Sequence, residues 1–193
     1  MDIDADAIAD DINAMYDMAD DVMSQTSGDP AMIMPAPSAE MRAWRDWVNP
    51  DPDEVVNQDG SFDDMGVWDH IERLKRPRVS LPDGASMMIE PTSALIAVDV
   101  NTGSDFSLGA GLKANLAVAR ELPKQLALRG LGGQIVIDFA PSPKKDRRTI
   151  ESALNAAFRK GGIDTIIVGW TKLGNFELQR KRERMPLTEL LDD

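Results

Sequence analysis

The sequence has no cysteine, only one histidine and no long apolar run. Disulfides, thiolate zinc sites and cysteine nucleophiles are therefore excluded, and a Ser-His pair would depend on His70 alone. No segment approaches the ~18 apolar residues of a membrane span, and no signal-like leader opens the chain. We expect a protein of the reducing cytoplasm that does not contact membranes. Any metal ion should be a hard cation bound by oxygen.

Positive charge is scarce overall, but the acidic excess lies in the first part of the chain. There are 33 acidic and 21 basic residues, for a net charge of -12. Residues 1–75 hold 19 acidic and 4 basic groups, whereas residues 76–193 hold 14 and 17. The net charge argues against a polyanionic ligand, but the basic second part is compatible with one. We predict an acidic helical extension and linker over residues 1–75, and a separate domain over residues 76–193.

Apolar spacing predicts helices in the acidic part. From Asp4 to about Gln25, residues such as Ile8, Ile12 and Met15 recur at steps of three and four, which is typical of one helical face. Two shorter helices are predicted near residues 41–47 and 67–74. The acidic side chains of this part are most simply explained as a solvated surface.

The second part alternates apolar strands with helices. Helices are predicted from about Leu108 to Leu128 and up to Lys160, with a basic helix over residues 176–184. The predicted strands span residues 86–90, 94–100, 134–139 and 165–170. Because these strands show little polar alternation, we expect an α/β fold with a mixed or mostly parallel sheet flanked by helices.

Two aspartates occur near the ends of predicted apolar strands, Asp99 and Asp138. A carboxylate in such a position is costly unless it is hydrogen-bonded, paired or bound to a cation. If the two strands are neighbours, about 4.8 Å apart, both carboxylates could share one divalent ion. Asn101, two residues after Asp99, would support that site. The structural alternative is that each aspartate caps a helix or satisfies a loop.

Basic residues follow these aspartates and suggest a phosphodiester ligand, because cations bind the backbone while a metal activates water. Some of these basic residues follow Asp99 or Asp138 along the chain, and others lie in the last predicted helix. They are Lys113, Lys144, Lys145, Arg147, Arg148, Arg180 and Arg182. Each group taken alone is compatible with a solvated helix face. No aromatic stripe accompanies them, so the sequence does not indicate a base-stacking platform.

The segment Asp99-Val100-Asn101-Thr102-Gly103 has competing interpretations. An aspartate at a strand end before Thr-Gly is similar to the phosphate loops of actin-like ATPases and of aspartyl-phosphate phosphatases. The first class would require further Gly-rich hairpin turns and a longer chain. The second requires another aspartate where Asn101 stands. The P-loop pattern G-x-x-x-x-G-K-[ST] is absent.

Several motifs in order resemble the catalytic core of the ribonuclease E/G family over about residues 80–187. They are Ile89-Glu90-Pro91-Thr92, Ala97 to Gly103, Lys113-Ala114-Asn115-Leu116, Gln125 to Phe139, and Gly174-Asn175-Phe176-Glu177-Leu178 with Arg180-Lys181-Arg182. The resemblance implies that Asp99 and Asp138 coordinate Mg²⁺, with Mn²⁺ as the alternative, and that Asn101 orients the site. It implies hydrolysis of single-stranded RNA to 5′-phosphate and 3′-hydroxyl ends.

The sequence also departs from that family. We find no segment resembling its S1-type RNA-binding domain or its 5′-end sensor, and the Cys-x-x-Cys zinc link between protomers is absent. Any homo-oligomer would therefore form without a zinc link. We predict a metal-dependent endoribonuclease with Asp99, Asp138 and Asn101 as catalytic residues and the seven basic residues as RNA contacts. The alternative is a non-catalytic RNA-binding or interaction module.

Overall fold

The structure is a computed structural model, and it describes residues 5–25, 27–47, 52–107 and 109–191. In it the chain divides into two compact units. The first unit comprises residues 1–57 and the second residues 58–193. The boundary predicted near residue 76 remains a prediction about domains. Among the described residues, no helix is long and apolar enough to cross a membrane.

The first unit contains helices α1 (Ala5–Ser24) and α2 (Ala39–Trp47). Both agree with the predicted helices, although Asp4 lies outside the described residues. The apolar stripe of α1 is exposed, with Ile12 at 61 % and Met15 at 56 %. No residue of this unit for which the structure describes burial is buried.

The second unit is built around one six-stranded sheet in the order β1-β2-β3-β4-β6-β5. The strands are β1 (Arg78–Ser80), β2 (Ser86–Pro91), β3 (Ile96–Asn101), β4 (Gly133–Asp138), β5 (Thr165–Trp170) and β6 (Phe176–Arg180). The helices are α3 (Ser61–Asp64), α4 (Val67–Lys75), α5 (Ala110–Leu128), α6 (Arg147–Lys160) and α7 (Leu187–Leu191). Among the strands that the structure describes, only β3 and β4 are paired in parallel, and the other four pairs are antiparallel. The predicted α/β class with a mixed sheet is confirmed.

The core lies between one face of the sheet and helices α5 and α6. Alternate residues of β3 and β4, including Val98 and Ile137, are buried with Leu122 of α5 and Leu154 of α6. The intervening residues of the strands point away from this core, and several are exposed. Period-two burial in the strands and a buried stripe on each helix therefore give the sheet one packed face.

Helix α5 connects the two parallel strands, so its first turn lies at the edge where β3 ends and its last turn at the edge where β4 begins. Its predicted first residue, Leu108, lies outside the described residues. Helix α5 continues through Pro123 without a break, and residues on both sides of it are buried. We call the end of the sheet where β3 and β4 finish the carboxyl edge, and the opposite end the amino edge.

The predicted basic helix over residues 176–184 is wrong, because residues Phe176–Arg180 form strand β6. In Phe-Glu-Leu-Gln-Arg, every second residue is buried, which is the period of a strand rather than of a helix. Strand β6 pairs with both β4 and β5 and so joins β5 to the sheet. The three-residue strand β1 was not predicted, since so short a segment carries little periodic signal.

Candidate functional site

The two aspartates singled out in the sequence lie side by side on the sheet. Asp99 and Asp138 are direct partners in the register of the parallel strands β3 and β4. Adjacent strands lie about 4.8 Å apart, so both carboxylates belong to one small area of the carboxyl edge. Both side chains are exposed, unlike the core residues that flank them along each strand.

Asn101 orients one of these carboxylates. Its side-chain Nδ2 donates a hydrogen bond to Asp99 Oδ2 at 2.6 Å. Among the described residues, Asp138 has no hydrogen bond or ion pair, and no third acidic or histidine side chain completes a cluster with the two aspartates. Two oxygen ligands open to solvent fit a Mg²⁺ ion that keeps several waters and completes its coordination with a substrate phosphate.

The chain following Asp138 is fixed to helix α5 by a buried asparagine. Asn115 is fully buried. Its Oδ1 accepts a hydrogen bond from the backbone N–H of Ala140 at 3.0 Å, and its Nδ2 donates to the carbonyl of Ala140 at 2.9 Å. This pairing satisfies both backbone groups two residues beyond the carboxylate, so it restricts the end of β4.

The chain following Asn101 is held by contacts of a different kind. Gly103 adopts a positive φ of 66°, and a Cβ there would lie 2.2 Å from the carbonyl oxygen of Gly84. Further along, Lys113 Nζ of α5 lies 3.8 Å from Asp105 Oδ2. The pKa of Asp105 is lowered mainly by hydrogen bonds from Ser107, first from its backbone N–H, with a smaller contribution from Lys113. Lys113 is thus exposed at the carboxyl edge but is already paired with an acid.

Four of the other predicted RNA contacts lie at the same edge. Lys144 and Lys145 belong to a 3-10 turn, and Arg147 and Arg148 begin α6. Three of the four side chains are exposed, whereas Arg147 is half-buried, with its guanidinium 4.6 Å from the centre of the Trp170 ring. Because β4 leads into this turn and helix, the structure brings these cations to the edge that carries Asp138.

The remaining two predicted RNA contacts lie at the amino edge. Arg180 pairs in register with the first residues of β4 and β5 and is only 2 % exposed. Its Nη1 is 3.4 Å from Thr165 Oγ1, and burial lowers the pKa of its guanidinium. Arg182 donates from Nε to the carbonyl of Gly132 at 3.3 Å. The structure therefore does not bring either arginine together with the aspartates, and the prediction that Arg180 contacts phosphate must be corrected, because a buried side chain is not accessible to RNA.

Sequence reasoning missed Asn115 and Trp170 as parts of this edge. A signal for Asn115 exists, because it lies three residues after Leu112 and four before Ala119 on the apolar stripe of the predicted helix. A polar residue in that position requires buried hydrogen-bond partners. No comparable signal marks Trp170, whose contact with Arg147 joins segments more than twenty residues apart.

Fold and site together define an α/β domain with an open two-carboxylate site and flanking cations at one sheet edge. Comparison with protein families gives a more specific result. Residues 54–183 match the model of the ribonuclease E/G family. The chain belongs to the ribonuclease E/G family.

Individual relatives agree with this assignment. The chain is similar to ribonuclease E of a Nostoc species, at 37 % identity over 64 % of this chain and 19 % of that protein. It is also similar to ribonuclease G of Escherichia coli, at 34 % identity over 67 % of this chain and 28 % of that protein. Ribonuclease G of Haemophilus influenzae is 32 % identical over 80 % of this chain and 33 % of its own length. The chain thus spans between about a fifth and a third of these relatives.

Proposed function

We propose that this protein is a magnesium-dependent endoribonuclease that hydrolyses single-stranded RNA to 5′-phosphate and 3′-hydroxyl ends. The observation that carries the proposal is the direct register pairing of Asp99 with Asp138 at the carboxyl edge. Family membership supports RNA as the substrate class. We propose that this chain carries out the complete hydrolysis reaction, although it matches only part of the length of its relatives.

The two carboxylates would hold the metal ion, which supplies Lewis-acid activation of water and neutralises charge at the phosphate under attack. Asn101 keeps Asp99 in one orientation through its 2.6 Å hydrogen bond, so that this ligand need not be ordered when the ion binds. Asn115 limits the movement of the backbone after Asp138. Together these contacts preorganise both ligands before the substrate arrives.

Cations at the carboxyl edge would bind the RNA backbone near the reacting phosphate. Lys144, Lys145 and Arg148 are exposed and lie on the segment that follows β4. Contacts with phosphate oxygens position a strand without reading its bases. The arrangement therefore supports cleavage at a position determined by how the RNA backbone binds at this edge. Asp99 and Asp138 would determine which phosphate is cut.

The proposal is tested with the full chain, a 5′-labelled single-stranded RNA, and buffers with and without Mg²⁺. Asp138→Asn should reduce Mg²⁺-dependent cleavage at least about a hundredfold, because the ion contributes several kcal/mol to such reactions. Glu90→Gln is the matched control, since Glu90 is an exposed carboxylate on the neighbouring strand β2 but lies away from the carboxyl edge. Its cleavage rate should stay close to that of the unmodified chain.

Two results would overturn the proposal. One is undiminished cleavage by Asp138→Asn in a preparation that melts like the unmodified chain. The other is salt-dependent RNA binding with no Mg²⁺-dependent cleavage by the unmodified chain, which would instead support a non-catalytic RNA-binding module. The ends of the products should carry a 5′-phosphate and a 3′-hydroxyl.

A further inference from the structure

Arg147 is distinguished from its basic neighbours by the way its side chain is held. Its guanidinium lies over the face of the Trp170 ring, 4.6 Å from the ring centre. A cation in this position is attracted by the ring electrons, and the attraction is stronger where water is partly excluded. Both side chains are half-buried, so this contact fixes the guanidinium on one surface.

The Trp170 ring is itself held in place by the core. It lies 5.5 Å from Phe139 and 5.2 Å from Phe176, measured between ring centres. Phe139 is the residue that follows Asp138, and Phe176 is the register partner of Trp170 on β6. The aromatic cluster of Phe139, Trp170 and Phe176 therefore connects the end of β4, with its candidate metal ligand, to the ring under Arg147.

The turn between β5 and β6 leaves room for the arginine. Gly174 has a φ of 105°, and a Cβ built on it would lie 3.3 Å from Arg147 Nη2. The turn is closed by a hydrogen bond from the backbone N–H of Thr171 to the carbonyl of Asn175 at 2.8 Å. The guanidinium thus lies between an aromatic ring and a glycine in a closed turn.

The donors of this guanidinium are not used by the described residues. Among the described residues, Arg147 makes no hydrogen bond and no ion pair. Ring contact occupies the flat face of a guanidinium and leaves its N–H groups directed outward, where they match the oxygens of a phosphate. Lys113, by contrast, lies close to an acid at the same edge.

We propose that Trp170 is a positioning residue for RNA, which holds Arg147 over its ring so that the guanidinium contacts a backbone phosphate at the carboxyl edge. This inference deepens the proposed function, on which it rests for the identity of the ligand. The sequence already marked Arg147 as a phosphate contact, but not the residue that orients it.

The test is a double-mutant cycle on the full chain, read by binding of a labelled single-stranded RNA in metal-free buffer over a range of salt. Arg147→Gln and Trp170→Leu should each weaken binding about three- to tenfold. Each should also lower the slope of log affinity against log salt by about 0.7, as expected for one lost phosphate contact. The double variant should lose no more than either single variant.

Two matched variants separate positioning from a general structural role. Arg148→Gln removes an exposed neighbouring charge on the same turn of α6, and its effect should add to that of Trp170→Leu. Trp170→Phe keeps a ring in the aromatic cluster and should restore part of the affinity and slope lost in Trp170→Leu. If Trp170→Leu does not fold, the cycle is run with Trp170→Phe and Arg147→Gln.

Additive losses for Arg147 and Trp170, or an unchanged salt slope in the Trp170 variant, would overturn the inference. So would the absence of salt-dependent RNA binding by the unmodified chain. If the losses for Arg147 and Trp170 are non-additive but the unmodified chain shows no Mg²⁺-dependent cleavage, the proposed function is overturned and the positioning role remains. Cleavage that depends on Asp138, combined with additive losses, would do the reverse.

Discussion

Two buried polar side chains show how differently single residues can relate to the carboxyl edge. Asn115 is fully buried, and its amide pairs with both backbone groups of Ala140. Arg180 is buried at the amino edge, where its Nη2 has no partner among the described residues. A satisfied buried amide specifies one backbone arrangement, whereas a buried charge without an ion pair carries a desolvation cost, which the charge of Glu183 offsets only in part.

Replacing Arg180 with an apolar side chain of similar length should therefore be tolerated. We expect Arg180→Met to leave the free energy of unfolding unchanged or to raise it by about 1 kcal/mol, since buried charges are often replaced by apolar groups at no cost. RNA affinity should not change, because the side chain is inaccessible. Denaturant unfolding and RNA titration measure both quantities.

Lys145→Met is the matched comparison for this prediction, because Lys145 is exposed at the carboxyl edge. This variant should keep its stability but bind RNA more weakly, with a smaller salt slope. A loss of RNA affinity in Arg180→Met as large as that in Lys145→Met would show that the buried arginine contacts the ligand.

At the scale of whole elements, helix α5 packs very closely against the chain that follows β4. A Cβ on Gly111, in the first turn of α5, would lie only 2.0 Å from the carbonyl oxygen of Pro141. Helix and loop therefore approach each other more closely than any larger side chain would permit. The approach occurs three residues after Asp138, the last residue of β4.

Gly111→Ala should force these two segments apart. We expect it to lower the free energy of unfolding by about 1–3 kcal/mol through overpacking, even though alanine favours a helix. Gly109→Ala is the control, because a Cβ on Gly109 would meet no atom within 4 Å. Chemical unfolding of both variants provides the measurement, and equal stability of the two would contradict the close approach.

Long helices and apolar strands could be predicted from the sequence, and short strands that contain polar residues could not. The strands that carry Asp99 and Asp138 are runs of apolar residues, and they place the two carboxylates correctly. Strand β6 was assigned as a helix because the basic residues around Arg180 and Arg182 suggested a solvated face. Its true state depends on pairing with β5 across a short turn and with β4, which is distant in sequence.

Part of the candidate site could also be predicted from the sequence. Aspartates at the ends of neighbouring parallel strands meet wherever the strands are in register, so Asp99 and Asp138 follow from local pattern and one topological assumption. The contact between Arg147 and Trp170 requires α6 and β5 to be placed first. No local pattern contains that information.

At the scale of the whole molecule, the two compact units differ sharply in net charge. Residues 1–57 contain 14 acidic and 2 basic groups, whereas residues 58–193 contain 19 of each. The first unit thus accounts for the entire net charge of -12. A polyanion approaching the protein therefore meets a net negative charge that comes from a unit carrying none of the candidate site residues.

Neutralising part of the first helix should therefore speed association with RNA. Changing five exposed aspartates of α1 to asparagine alters the net charge from -12 to -7 without touching a buried residue. They are Asp10, Asp11, Asp17, Asp20 and Asp21. At low ionic strength we expect the association rate with single-stranded RNA to rise about two- to fivefold, because steering depends on the summed field of the protein.

The matched control changes the same five aspartates to glutamate, which keeps the charge and should leave the rate unchanged. The difference between the two variants should disappear at high salt, since screening then shortens the range of the field to a few ångströms. Stopped-flow mixing with labelled RNA at several salt concentrations measures both effects. Equal rates for the asparagine and glutamate variants at low salt would show that the acidic unit does not oppose RNA binding, and that the carboxyl edge attracts its ligand through local charge alone.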